Sequence, residues 1–286
     1  MSRIAYVNGE YVPHGTAAVH IEDRGYQFAD GVYEVIAVKN RALIDGDGHM
    51  TRLKYSLDEL EIAMPMSARA LGVVMVETIR RNRVQNGIVY LQITRGVSTP
   101  RNHPFPDFAR PALVITARRA PFPKNAENVV GGRVISIPDI RWNRCDIKTI
   151  SLLPNVLAKQ QAVEAGAIEA WMIDQDGHVT EGSSTNAWIV DKEGRLVTRP
   201  KSQSILGGIT RETVLRLAAE NGIEVIERPF TLDEAKQARE AFMTSTTSFV
   251  KPITQIDDAI VANGEPGETS RRLLSLYIDF MAASAA

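Results

Sequence analysis

The chain has a single cysteine, Cys145, in 286 residues. One thiol has no partner for an internal disulfide, so packing must hold the fold, and the composition fits a reducing compartment. Histidine is scarce too. His14, His20, His49, His103 and His178 include no pair three or four residues apart, so the ligand spacing of a zinc site is missing. Neither sign of charge dominates: 33 basic and 34 acidic residues leave a net charge of -1. That balance gives no reason to expect nucleic acid or an acidic membrane as partner. The basic cluster "RRNR", Arg80 to Arg83, lies in a helix-like segment and reads as a solvated face. Long hydrophobic runs are absent as well, and the stretch "ALGVVMV" is far too short to cross a bilayer. The opening "MSRIAYVNGEYV" lacks the apolar core of a signal peptide and reads as a strand. A soluble, cytoplasmic protein is expected. No glycine fingerprint supports a doubly wound nucleotide fold.

What is present is an ordinary hydrophobic share of 44%, enough for a real core, on a length that favours about two domains. "RIAYVNGEYV" predicts a hairpin, because Asn8-Gly9 can take the positive φ angles of a two-residue turn. "GVYEVIAVKNRALID" continues as strands. "DGHMTRLKYSLDELEIAM" has a helical period, and "SARALGVVMVETIRRNRVQNG" predicts a second helix closing at Gly87. The apolar strands "IVYLQITRG" and "PALVITARR" flank a proline-bearing, stiff loop, "VSTPRNHPFPDFARP". Residues 1–119 are thus expected to form a small N-terminal α+β domain and 120–128, "APFPKNAEN", a linker. Residues 129–286 would form a larger C-terminal domain. There, strands around "GRVISIP", "EAWMIDQDG", "NAWIVDKEGRLVTRP", "IEVIERPF" and "EAFMTSTTS" mix with helices. The helices are "TRETVLRLAAENG", "TLDEAKQA" with Thr231 and Glu234 as a capping box, and "RRLLSLYIDFMA". Strand and helix do not alternate strictly, so the fold class is α+β, with two mixed α/β domains.

Of nine lysines, Lys148 has the most apolar immediate company, between Ile147 and "TIS". Desolvation lowers a lysine pKa and yields the neutral amine that attacks carbonyls. On local pattern alone, an edge-strand lysine pointing outward competes with that reading. Two further stretches bear on it. "SILGGITRETV", Ser204 to Val214, sets paired glycines before a helix, where free amides receive an anion. "TSTTS", Thr244 to Ser248, places hydroxyls at a strand end. Glu181 in "HVTEGSSTN" sits in a turn; beside an amine and an anion site, it is a candidate partner for a protonated pyridine nitrogen. Amine, carboxylate, glycine-led helix start and hydroxyl turn are together the parts of a pyridoxal 5'-phosphate site.

These residues also carry a resemblance. "EDRGYQFADGVYEV", "IRWNRCDIKTISLLPNVLAKQQA", "TEGSSTN", "LGGITRE" and "TSTTS" resemble, in order, the motifs of the fold-type IV (class IV) pyridoxal-phosphate aminotransferases, most closely the D-amino acid-specific branch. The resemblance covers the chain from the first hairpin to the last helix and implies that family's two-domain architecture. It implies that Lys148 bonds the cofactor and shuttles the substrate's α-proton. Glu181 would pair with the pyridine nitrogen, and Leu206 would pack on one face of the ring. Arg52, with backbone groups of Ile209, Thr210, Ser245 and Thr246, would bind the phosphate. The substrate carboxylate would be held by Tyr33 and by Arg101 and His103, a forked guanidinium with added donors, with Ser183 and Ser184 beside it. Holding the carboxylate on one side decides which α-hydrogen faces Lys148.

The implied reaction is a ping-pong transfer from a D-amino acid such as D-alanine or D-glutamate to pyruvate or 2-oxoglutarate. The resemblance also implies a homodimer whose Arg101–His103 loop reaches the neighbouring subunit's site. Rival activities on the same scaffold are a branched-chain L-amino acid or (R)-amine transaminase and an aminodeoxychorismate lyase; the Arg101–His103 pair argues for D-amino acids. A non-catalytic pyridoxal-phosphate binder is disfavoured by the lysine–glutamate pair. A cofactor-free aldolase lysine leaves "LGGIT" and "TSTTS" unexplained.

Overall fold

The computed structural model describes residues 3–285, which cluster into two compact units. One runs to Phe122 and takes in Ile147–Ser151 and the chain from Ala282; the other comprises Pro123–Asp146 and Leu152–Met281. Both are mixed α and β, the α+β architecture that the sequence predicts.

The first unit holds β1 (Ile4–Val7), β2 (Glu10–Pro13), α1 (Arg24–Phe28), β3 (Gly31–Lys39), β4 (Ala42–Leu43), α2 (Gly46–Glu59), α3 (Ala68–Arg81), β5 (Gly87–Thr94) and β6 (Ala112–Arg119). Its strands form one antiparallel sheet in the order β2-β1-β6-β5-β3-β4. Asn8 and Gly9 do carry the positive φ angles that the β1–β2 turn demands. One row of β3, Val32, Glu34, Ile36 and Val38, is fully buried, because alternate residues of a strand share a face. Its apolar members pack with Leu53 and Leu57 of α2 and Leu71, Met75 and Ile79 of α3. Glu34 is the one charged side chain in that row, and its burial shapes the site below.

The helix expected to close at Gly87 ends at Arg81. Asn82 stops it: its side-chain amide donates to the carbonyls of Thr78 and Ile4, and its oxygen accepts from Ile4 N. Arg83 then takes a positive φ. Gly87 instead opens β5, where a Cβ would meet the Arg118 carbonyl at 2.1 Å. Its small size serves strand approach and not a helix stop.

The second unit holds β7 (Gly132–Pro138), α4 (Leu153–Glu164), β8 (Glu169–Ile173), β9 (Val179–Gly182), β10 (Asn186–Val190), β11 (Leu196–Thr198), α5 (Ile209–Glu220), β12 (Val225–Glu227), α6 (Leu232–Lys236), β13 (Glu240–Ser245), β14 (Phe249–Ile256), β15 (Ala259–Ile260) and, up to Met281, α7 (Glu268–Ser284). They build a nine-stranded mixed sheet, β12-β11-β10-β13-β14-β7-β8-β9, with β15 on β14. The β10 strand is buried along its whole length, as a strand covered on both faces should be. Trp188 of β10 stacks on Phe242 of β13 and donates its indole N–H to Thr244. The capping box at α6 is half made. Thr231 Oγ1 caps Glu234 N, but the Glu234 carboxylate turns away to Arg228. The stronger charge-assisted pair wins over the reciprocal bond.

Candidate active site

In the first unit, Ile147–Ser151 lies along the start of β3, beyond the short reach of β4. Tyr33 N donates to Lys148 O and Ile150 N to Gly31 O, both at 3.0 Å, and Thr149 bridges Val32. Lys148 N donates to Ser56 Oγ on α2 at 3.1 Å. The lysine is therefore held beside the start of β3 and is half-buried, with Nζ 4.3 Å from the centre of the Tyr33 ring. Gly31 makes the docking possible, since a Cβ there would lie 2.6 Å from the Ile93 carbonyl and 3.2 Å from Ile150.

Arg52 is anchored close by. Its Nε and Nη2 fork onto Glu34 Oε1 and Oε2 at 2.8 and 2.7 Å. His49, one turn earlier on α2, meets Glu34 Oε2 through Nδ1 at 2.7 Å. Burial alone pushes the Glu34 pKa up, but Arg52 and His49 outweigh it and hold the carboxyl at about 2. Burial lowers the His49 pKa against the pull of Glu34, with Arg52 and Lys148 adding to the lowering. A neutral imidazole here donates from Nδ1 to the carboxylate. Tyr33 shares its sheet face with Tyr90 and Gln92, the two rings 5.8 Å apart, and Tyr90 Oη donates to Gln92 at 2.6 Å. Burial first, then Tyr33, push the Tyr90 pKa up to about 12.

Arg101 and His103 lie on the exposed β5–β6 loop. Both touch Phe28: the Arg101 guanidinium lies 4.3 Å over its ring, and the His103 ring centre is 5.3 Å away.

In the second unit, Glu181 lies next to the end of β9 with a carboxylate only 7% exposed. Arg141 Nη1 pairs with Oε1, while Asn186 Nδ2 and Leu206 N donate to Oε2 at 3.0 and 3.1 Å. Arg141 is shared: its Nη2 and Nε also hold Asp139, which accepts from Thr180 Oγ1 at 2.7 Å. Burial raises the Glu181 pKa, with Arg141 opposing, and the net direction is upward. Asp139 goes the other way, because Arg141 and Thr180 more than offset its burial. A carboxylate has about four acceptor sites, of which three are filled on Glu181, leaving room for one further N–H.

Leu206 is thus tied to Glu181 through its backbone N–H. Ile209 and Thr210 open α5, whose N-cap is Gly208 and carries no side-chain cap. A Cβ on Gly208 would meet Asn186 Oδ1 at 2.0 Å, so glycine is required for this helix start to sit beside the Glu181 cluster. Ser245 and Thr246 lie where β13 ends, and Ser245 Oγ accepts from Ser248 N at 3.1 Å. Ser183 and Ser184, marked in the sequence as substrate-side residues, both donate their hydroxyls to Glu169, a fully buried carboxylate on β8.

The structure therefore gathers Lys148, Arg52 and Tyr33 in the first unit and Glu181, Leu206, Ile209 and Thr210 in the second. Sequence reasoning missed Glu34, His49, Asp139, Arg141, Glu169 and Asn186. Of these, Glu34 and Glu169 have a local signal: a charge on the apolar row of a strand.

Residues 31–256 match the family Amino-transferase class IV. The chain belongs to that family. It is 40% identical over 274 residues to a D-alanine aminotransferase of Listeria monocytogenes serotype 4b (strain F2365), covering 96% of this chain and 94% of that one. A D-alanine aminotransferase of Bacillus licheniformis is 42% identical over 267 residues, 93% of each chain. Among solved structures, a branched-chain amino acid aminotransferase with pyridoxamine 5'-phosphate matches with a TM-score of 0.90 at 26% identity, covering 99% of this chain and 95% of that one. A branched-chain aminotransferase from Thermoproteus uzoniensis with norvaline matches at 0.85 and 27%, covering 99% and 96%.

Proposed function

We propose that this protein is a pyridoxal 5'-phosphate-dependent D-amino acid transaminase. It passes the amino group of a D-amino acid of the D-alanine or D-glutamate type to pyruvate or 2-oxoglutarate in two half-reactions. The observation that carries the reading is 40% identity to a D-alanine aminotransferase across nearly the whole chain, against 26% to the branched-chain enzyme of similar fold.

The donor set fits the cofactor. Lys148 offers an amine for a carbonyl, Glu181 has one acceptor site left for a ring N–H, and α5 begins without a side-chain cap. When bound, pyridoxal 5'-phosphate supplies the electron sink that makes an α-proton removable. Lys148 Nζ would hold the cofactor and would take and return the α-proton as general base and acid. Its backbone is fixed at Tyr33 and Ser56, so the amine pivots on a set base. Glu181 holds a proton on the ring nitrogen, and Arg141 supplies the opposing charge that favours the carboxylate form. Leu206 packs on the ring, oriented by its N–H bond to Glu181. The resemblance implies phosphate-binding roles for Arg52, whose guanidinium plane is fixed by Glu34, and for backbone groups of Ile209, Thr210, Ser245 and Thr246. Tyr33, Arg101 and His103 receive the substrate carboxylate. Ser183 and Ser184 lie on the substrate side in this reading, their hydroxyls being engaged with Glu169. The enzyme works in the cytoplasm as a homodimer in which the Arg101–His103 loop serves the neighbouring subunit.

The test is an anaerobic half-reaction with purified holoenzyme, following the cofactor's absorption as D-alanine or L-alanine is added. D-alanine alone should convert the carbonyl-form band to the amine-form band. Conversion by L-alanine alone would keep the chemistry and overturn the stereochemistry; no cofactor band after reconstitution would overturn the whole reading.

A further inference from the structure

The motif "EDRGYQFADG" has no part in the roles given above, yet it builds α1, and α1 carries the loop with Arg101 and His103. We infer that α1 is the platform that fixes this loop, with Arg24 and Phe28 as positioning residues for recognition of the substrate carboxylate. The inference rests on the carboxylate reading of Arg101 and His103 proposed above.

Asp23 starts the platform: its side chain caps Gly25 N at 2.8 Å and accepts from Thr94 Oγ1 at 2.9 Å, locking α1 to the end of β5. The backbone then joins helix to loop, through Arg24 N to Gly96 O at 2.9 Å and Ser98 N to Glu22 O at 3.3 Å. Arg24 and Phe28, four residues apart, share one face of the short helix. Arg24 is 3% exposed, and its Nη1 and Nη2 donate to the backbone carbonyls of Asn102 and His103 at 2.6 and 3.0 Å. Its third arm, Nε, donates to Asp30 at 2.8 Å. Asp30 is in turn forked by Arg95, which also reaches the carbonyls of Leu60 and Glu61. Arg24 is therefore a braced strut holding the loop's main chain from beneath.

Phe28 acts on the side chains. Its ring lies 4.3 Å under the Arg101 guanidinium, 4.8 Å from that of Arg24 and 5.3 Å from the His103 ring. Residues 101–105 are exposed, so the loop brings no core of its own to set its direction. A guanidinium recognises a carboxylate by its fork, and a loosely held fork loses that geometric advantage. Neither Arg24 nor Phe28 needs to touch substrate: they set where the residues that do so stand.

The test uses holoenzyme of the Arg24→Met, Arg24→Lys, Phe28→Leu and Arg101→Met variants. Two quantities are read: deuterium exchange of peptides covering residues 96–104, and steady-state kcat and KM for D-alanine. Arg24→Met should speed exchange in that segment and raise KM about ten-fold or more through loss of two charge-assisted bonds, with kcat within about two-fold and cofactor affinity unchanged. Arg24→Lys should restore part of both effects. Phe28→Leu, which leaves the buried ions in place, should raise KM by a smaller factor in the same direction. Unchanged exchange in the Arg24 variants overturns the inference whatever KM does. Faster exchange with unchanged KM, while Arg101→Met itself raises KM, also overturns it. If exchange quickens and Arg101→Met leaves KM unchanged, α1 stands as the platform and the carboxylate reading falls.

Discussion

Glu34 in the first unit and Glu181 in the second are both buried carboxylates facing an arginine, and they titrate in opposite directions. Glu34 has both arms of Arg52 on its two oxygens and an imidazole besides, and its pKa falls to about 2. Glu181 receives one arm of Arg141, which also serves Asp139, and its pKa rises. Burial disfavours both charges; what differs is how much cation each carboxylate has to itself. Glu34 has its charge well compensated and works as scaffold for Arg52. Glu181 is left under-compensated, with an acceptor site open, which is the condition in which an added N–H gains most.

The largest break in this picture comes from the amine itself. On the role proposed for Lys148, Lys148→Ala should lower turnover by roughly 10³-fold or more. Single-turnover spectra of the reconstituted variant check this. Next is Arg141→Met, which strands Glu181 and Asp139 together: removing one partner of a buried ion pair costs about 3–5 kcal/mol. Urea unfolding of the cofactor-stripped protein would show it, and a loss under about 1 kcal/mol would mean the pair is poorly coupled. A smaller loss, about 1.5–3 kcal/mol, is expected for His49→Leu, which removes one hydrogen bond to a charged acceptor that Arg52 still satisfies.

The smallest effect separates the two carboxylates by sign. Glu34 has a folded pKa below the ordinary value of 4.5, so its contribution is full above 4.5 and fades as the pH falls towards about 2. Glu181 has a folded pKa above the ordinary value. Its folded form keeps a proton that the unfolded chain releases, so stability falls as the pH rises from the ordinary glutamate range through its raised value. In stripped protein, unfolding midpoints measured from pH 3 to pH 7 should therefore rise less steeply with pH for Glu34→Gln than for wild type. For Glu181→Gln they should rise more steeply. Equal slopes in all three would erase the contrast.

Much of this was legible in the sequence where the signal is local. The Asn8-Gly9 hairpin, the Gly208-led start of α5 and the apolar period of α2 each depend on residues within one turn or strand. The apolar company of Lys148 was legible too, while local pattern alone left an outward-pointing lysine open. Arg141 and Asp139 were not legible. Arg141 meets Glu181 across 40 residues and Thr180 across 39, and no spacing rule links positions joined only by a sheet. The α1 helix was invisible because five residues with two aromatics and a glycine show no period, and its role depends on a loop 78 residues on. The early stop of α3 came from the Asn82 side chain bonding to β1, a tertiary bond overriding a run of good helix formers.

The docking of Ile147–Ser151 on β3 also fixes an order of events in the cell. Thr149 Oγ1 bonds to the Gly31 carbonyl across 118 residues. At ordinary rates of synthesis, about 5–20 residues per second, the leading edge of β3 emerges from the ribosome roughly 6–24 s before the segment that covers it. During that interval, and permanently in a chain cut after Phe122, Gly31–Tyr33 presents unpaired backbone groups, a template for another chain's strand. The segment that carries the amine is therefore also a late-arriving guard of the nascent first unit against aggregation.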